Sequence, residues 1–278
     1  MRAMVWRFAK FLLSISCLTI AAAAHAEAAR AQQDSDLYKA VAFVTGTQEP
    51  ERSRGFRDGL EQALIKLTGR ADLAGSPRLA RYLDQSAGFI ASFNYEDRMK
   101  GIPVHDEQGT RERPHFLRIV FTKSMLDNVL AELSLTKWPV PRPRLAVLLA
   151  VDVPKGSFVL TRTGEHGYGQ REVLKSVSKK RAIPITFPAD DERISVSDIE
   201  SNRTKHIARA ARSAGGKCPL SGTLKLDAEG VYWKMRWILR CRGKSSNWSL
   251  NGVTYDIALA SGLEESARIL SEQDTLRR

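Results

Sequence analysis

Cysteine is scarce in this chain: Cys17, Cys218 and Cys241 are the only thiols in 278 residues. That number is too small for a disulfide-dense scaffold or a four-cysteine zinc site. Histidine is almost as thin. The five residues His25, His105, His115, His166 and His206 are scattered, with no H-E-x-x-H and no other metal-ligand spacing. There is no G-x-S-x-G elbow, G-x-G-x-x-G turn or P-loop lysine, which removes the simplest signals for a serine hydrolase, a dinucleotide site or a nucleotide site. No metal and no cofactor is expected. Long apolar runs are missing too. The longest, from Phe11 to Ala24, is about 14 residues, short of the roughly 20 that cross a bilayer as a helix. Taken together, no residue cluster spells out a reaction. The expectation leans away from an enzyme and leaves that question open.

What the chain does have begins at its amino terminus. Arg2, Arg7 and Lys10 precede the apolar run, and Ala24-His25-Ala26 ends it. A basic segment, a short apolar segment and a small-x-small site form a secretory signal peptide, predicted over residues 1–26 with cleavage between Ala26 and Glu27. Lipid attachment at Cys17 fits poorly, because no leucine stands three residues upstream. The mature chain is therefore expected in the periplasm, soluble and without a transmembrane segment. Loss of three cations lowers the net charge from +12 to +9.

Once the leader is removed, Cys218 and Cys241 form an even pair in an oxidising compartment. Both lie in "KCPLSGTLKLDAEGVYWKMRWILRC", which reads as two alternating strands around the turn Asp227–Gly230. Cys218 shares even positions with Leu220, Leu224 and Leu226, and Cys241 shares odd positions with Trp233, Met235, Trp237 and Leu239. An antiparallel hairpin pairs even with odd, so both cysteines fall on one apolar face near its open end, and Gly222 falls beside Trp237. A metal would need more ligands and a catalytic thiol a histidine partner, neither visible locally. The pair is expected to form a disulfide closing a loop of about 23 residues, contributing about 3 kcal/mol.

The chain divides at "TKWPVPRPR", where alternate prolines rule out a helix and read as an extended connector. The expected layout is a signal peptide (1–26), an α/β domain (27–137), a proline-rich linker (138–144) and a second α/β domain (145–278). In the first domain "LYKAVAFVTGT" reads as a strand. "RSRGFRDGLEQALIKLTGR" follows as a helix, with Phe56, Leu60, Leu64 and Leu67 on one face. "GFIASFNYEDRM" and "HFLRIVFT" form a strand pair across the polar loop "KGIPVHDEQGTRERP". The helix "KSMLDNVLAEL" faces inward with Met125, Leu126, Val129, Leu130 and Leu133. The second domain opens with "RLAVLLAVDV", an unbroken apolar strand of the kind covered on both faces. It continues through "SFVLTR", the basic helix "QREVLKSVSKKR", the buried strand "AIPITFP", the helix "NRTKHIARAARSA", the cysteine hairpin, the strand "SNWSLNG" and a final helix. Helix and strand signals alternate throughout, giving an α/β or α+β fold in two small domains.

In this order "GFRDGLEQALIKLTGR", "PRPRLAVLLAVD", "KKRAIPITFP", "ISVSDI", "SGTLKLDAEGVYWKMRWIL" and "WSLNG…GLEESARIL" resemble a family of exported proteobacterial proteins, domain of unknown function 2066 (DUF2066). The resemblance spans residues 38–273. Where that family often has "YGAD" before the hairpin, this chain has "GGKC", so the cysteine pair belongs to a branch. The resemblance implies an envelope location and a two-unit layout, and brings no catalytic residue.

Charge is the remaining signal. Residues 27–137 hold 16 Lys/Arg and 16 Asp/Glu, whereas residues 138–278 hold 24 and 15. Lys175, Lys179, Lys180 and Arg181, with Arg171 beside them, form one cluster, and Arg203, Lys205, Arg209 and Arg212 form another. Lys234, Arg236 and Arg240 occupy the strand face opposite the tryptophans. These eleven residues, Arg171 apart, are the candidate anion-binding set. A solvated basic face kept for solubility is the competing reading. The glycines Gly164, Gly167 and Gly169 suggest a weak phosphate-binding turn before a helix, with a plain loop as the default. Asp190-Asp191-Glu192 reads as capping or solvated acids ahead of a carboxylate pair, and Trp233 and Trp237 as core. The expected function is a non-enzymatic envelope binding or assembly factor. Its basic second domain would contact anionic lipid head groups, lipopolysaccharide, a wall polymer or an envelope protein. The alternative is a periplasmic enzyme acting on an anionic polymer. Nucleic acid is not an expected partner, because the chain carries a leader and no aromatic-basic module.

Overall fold

A computed structural model describes residues 27–101, 112–227 and 229–276. The segment expected to be a leader, with Cys17 and the expected cleavage site at Ala26, and His105 with most of its loop, lie outside the described residues.

Two sheets organise the mixed α/β fold. Residues 27–36 are helical (α1) and lead into β1 (Lys39–Thr45), α2 (Glu51–Thr68), α3 (Ala80–Asp84), β2 (Ile90–Asp97), β3 (Pro114–Phe121) and α4 (Lys123–Glu132). The three strands form an antiparallel sheet in the order β1-β3-β2, leaving β1 on an edge. Strand alternation puts Ala40, Ala42 and Val44 of β1, with Leu117 and Ile119 of β3, under α2. The odd residues of β1 face outward, where Val41 and Phe43 stay 42% and 47% exposed. Leu126, Val129 and Leu130 of α4 are buried as expected, but Met125 is exposed, because it lies outside their i, i+3, i+4 stripe.

The larger sheet contains β4 (Leu145–Val153), β5 (Gly156–Val159), β6 (Ile185–Thr186), β7 (Cys218–Leu226), β8 (Trp233–Cys241) and β9 (Lys244–Val253). Its path is β5-β4-β7-β8-β9, with β6 also on β4. Helices α5 (Tyr168–Arg181) and α8 (Tyr255–Thr275) cover one face, and α6 (Val196–Glu200) with α7 (Thr204–Ser213) covers part of the other. Two-sided cover explains the unbroken apolar run of β4. Leu145, Val147, Leu149 and Val151 join one core, and Ala146, Leu148 and Ala150 the other. The strand expected at "AIPITFP" shrinks to the two residues of β6, since Pro184 and Pro188 flank it and cannot donate to a ladder.

The hairpin register is as the alternation dictates. Gly222 stands opposite Trp237 and Leu220 opposite Leu239, and Cys218 is disulfide-bonded to Cys241 with Cα atoms 4.8 Å apart. The indole of Trp237 is fully buried between two glycines. A Cβ on Gly222 would lie 2.4 Å from Trp237 Cε3, and one on Gly262 of α8 would lie 2.6 Å from its Cε2. Trp237 Nε1 donates to Ala258 O at 3.1 Å, which fixes the ring between strand and helix.

Residues 138–144 are not a free spacer. Trp138 is 1% exposed, joins the core of the larger sheet and donates through Nε1 to Asp274 Oδ2 at 2.8 Å. Its backbone N–H reaches back to Leu67 O at 2.8 Å. Arg142, 7% exposed, stacks on Trp138 at 4.0 Å. The segment is not helical, and the side chains of Trp138 and Arg142 bind both flanking units.

Candidate anion-binding groove

A groove of about 1110 Å³ runs between the free edge of β1, one side of α2 and the carboxyl end of α5. On α2 the lining residues Arg54, Asp58, Gln62 and Lys66 recur every fourth position, so they form one stripe along the helix. From α5 come Ser176, Ser178, Lys179 and Lys180. Val41 and Phe43 of β1, with Phe116, supply an apolar strip.

Two helices point their carboxyl ends at the groove floor, and Arg142 meets both. Its Nη1 donates to Arg181 O at 2.7 Å, and its Nη2 to Lys66 O at 2.7 Å and Trp138 O at 3.2 Å. Carbonyls at helix carboxyl ends carry partial negative charge, so a buried guanidinium is a suitable cap. Arg142 Nε, however, has no hydrogen-bond partner among the described residues. Burial pushes the Arg142 pKa down, to about 9. Lys66 lies close by and is 8% exposed. Its Nζ donates to the carbonyls of Lys39 and Asp36. Burial, reinforced by the charge of Arg142, lowers the Lys66 pKa to about 8.

Lys39, Arg54 and Arg118 also line the groove but are paired with Asp36, Glu51 and Asp58, and Glu96 respectively. Lys66, Arg142, Lys179 and Lys180 have no carboxylate at ion-pair distance among the described residues. They are four cations on one groove without an ion-pair partner, two of them buried and hydrogen-bonded to backbone carbonyls and two exposed. Low local dielectric at Lys66 and Arg142 strengthens their pull on an incoming anion.

The other expected cations are spread elsewhere. Lys175 is exposed and pairs with Glu172 at 3.0 Å. Arg181 is not on a polar surface: it is 8% exposed and pairs with Glu264, because it falls one heptad after the buried Leu174. Arg171 is buried as well, donating to the carbonyls of Thr161, Gly164 and His166. The glycine turn thus wraps its own arginine. Asp190 bonds to Thr163 in the same turn, and the hydroxyls of Thr161 and Thr163 hold its pKa near 2. An internal carboxylate therefore occupies the turn that suggested phosphate binding, and Asp190 acts as a loop cap.

Around α7, Arg203 faces Asp198 at 3.5 Å and Arg209 faces Glu192 at 3.8 Å. Lys205, Arg212 and Lys234 are exposed, with no ion pair among the described residues. Arg236 donates to Glu200 O at 2.8 Å and Arg240 to Asn202 Oδ1 at 2.6 Å, tying β8 to the end of α6. His115 and His166 sit beside Tyr95 and Phe158, and His206 Nδ1 lies 2.8 Å from Asp198 Oδ1. No cluster of three or more His, Cys, Asp or Glu side chains capable of holding a metal occurs among the described residues.

Sequence reasoning missed Lys66 and Arg142. A signal was available for each: Lys66 sits inside the apolar run "ALIKLTG", and Arg142 stands between two prolines that deny it a regular surface helix.

A family model described as "Domain of unknown function (DUF8605)" matches residues 31–139, which span α1 to α4 and reach into the proline segment. This corrects the resemblance drawn above: the match is to a different family from domain of unknown function 2066. Comparison with curated proteins gives no match.

Proposed function

We propose that this chain is an exported, non-enzymatic binding or assembly factor of the cell envelope, and that it holds an anionic partner in the groove between its two sheets. The observation that carries this reading is the convergence of Lys66, Arg142, Lys179 and Lys180 without a carboxylate partner. The basic, apolar and small-x-small pattern of residues 1–26 supports export. No helix among the described residues is long and apolar enough to cross a membrane. The groove is slightly larger than the usual range of ligand sites and sets an apolar strip from β1 and Phe116 against a wall of mainly polar and charged side chains. The reading takes Lys179 and Lys180 from the basic set expected from sequence and adds two buried cations contributed by α2 and the proline segment.

The test is binding of the mature chain to phosphatidylglycerol vesicles, to acidic wall fragments and to polyglutamate, over a range of salt. Exposed charges are screened over about 8 Å at physiological ionic strength, so binding should weaken steeply as salt rises. A Lys179→Ala/Lys180→Ala variant should lose binding, and a Lys205→Ala/Arg212→Ala variant of equal charge should keep it. The reverse order, or no binding to any of these anions at low salt, would remove the groove from consideration.

A further inference from the structure

We infer that β1 accepts an extended acidic segment of a partner polypeptide as a fourth strand of the smaller sheet. The inference rests on the anionic preference proposed for the groove and names the partner class. β1 is an edge strand, and its ladder to β3 uses the even residues: Tyr38 O accepts from Phe121 N, and Gly46 N donates to Arg113 O. The N–H and C=O groups of the odd residues must then point away from β3, into the groove. Three of these outward groups are capped from α2. Lys39 O accepts from Lys66, Phe43 O accepts from Arg54 at 3.0 Å, and Thr45 N donates to Glu51 at 2.8 Å.

Between those caps lie Val41 N–H, Val41 C=O and Phe43 N–H, a donor, an acceptor and a donor in a row. None has a hydrogen-bond partner among the described residues. A lipid head group or a free phosphate does not present donors and acceptors alternating at strand spacing, whereas a peptide backbone does. The exposed Val41 and Phe43 side chains offer the apolar contact that alternate residues of an added strand would cover. Charge selects the occupant. A second copy of this chain would bring Lys66, Lys179 and Lys180 against themselves, so edge-to-edge self-pairing is opposed, and an acidic strand is favoured.

The test uses the mature chain and an acetylated, amidated peptide of alternating valine and glutamate, followed by fluorescence anisotropy. Three further probes are the same peptide N-methylated at alternate residues, a valine–lysine peptide, and phosphatidylglycerol vesicles. The valine–glutamate peptide should bind, and the valine–lysine peptide should not. N-methylation, which removes donors while keeping side chains and charge, should weaken binding about tenfold. Val41→Pro removes one outward donor and leaves the β3 ladder intact, as proline on an edge strand allows, and should weaken binding to a similar degree. Circular dichroism would confirm that this variant folds; should it fail, the N-methylated peptide carries the same test on the unaltered protein. Equal binding of the methylated and unmethylated peptides would overturn the added strand and leave a purely electrostatic groove. Vesicle binding without peptide binding would overturn it in favour of a lipid head group. Dimerisation blocked by Val41→Pro would overturn it in favour of a second copy. Failure of every anion would remove the groove reading together with it.

Discussion

Replacing Gly222 with alanine should destabilise the larger sheet by an amount set by Trp237. The new Cβ would meet Trp237 Cε3 at 2.4 Å, Trp237 Cζ3 at 2.6 Å and Met235 Cε at 2.7 Å. The methionine methyl is a flexible end and can swing aside. The indole cannot, because Gly262 closes its other face and Ala258 O holds its Nε1. Overpacking of this kind costs about 1–3 kcal/mol. Alanine recovers about 0.5–1 kcal/mol of backbone entropy relative to glycine, so the net loss should be about 0.5–2 kcal/mol. In a Trp237→Leu background, itself costly, the obstruction is gone and Gly222→Ala should be neutral or stabilising. The cycle should therefore show a coupling of about 1–3 kcal/mol. Urea unfolding monitored by far-ultraviolet circular dichroism measures all four corners. An equal loss in both backgrounds would refute the steric argument, because the indole would then not be what the added methyl strikes.

Three more expectations follow from the packing and the charges. Breaking the Cys218–Cys241 bond by reduction, or by paired serine substitution, should cost about 3 kcal/mol and lower the thermal midpoint by roughly 6–12 °C; free labelling of both thiols in the native protein would contradict it. Folded Lys66 ionises near pH 8 against an ordinary 10.5, so the unfolded chain binds more protons between those values. Stability should rise by up to about 3 kcal/mol across that window, and the rise should vanish in Lys66→Met when denaturant midpoints of the two proteins are compared. Arg142→Met should uncover the carbonyls of Lys66, Arg181 and Trp138, cost about 3 kcal/mol, and speed hydrogen exchange in the last turns of α2 and α5; unchanged exchange there would refute its role as a shared cap.

The hairpin was legible because a two-residue period leaves no freedom. Once Cys218 and Trp237 were placed on one face, the pairing of Gly222 with Trp237 and of Cys218 with Cys241 followed. The long helices and the doubly covered β4 were legible for the same reason, as their apolar periods are sustained over many residues. Arg181 was misread because four consecutive basic or polar residues looked like a solvated face, although its spacing from Leu174 already placed it on the inner stripe. The groove could not be read from any local window. It joins β1 to residues near 142 and 180, and its key cations are ordinary in composition; only the third dimension removes their carboxylates.

The placement of β7 beside β4 has a kinetic consequence. The small sheet and α2 draw on contacts within residues 39–121, whereas β4 must find a parallel partner whose register pairs Leu145 with Cys218. A long crossover has to be closed before that pairing returns any free energy, so the larger sheet should assemble on the slower clock. Its β7–β8–β9 meander is local and offers the natural nucleus. Substitutions in the meander should slow folding, whereas substitutions on the β4 side should mainly hasten unfolding.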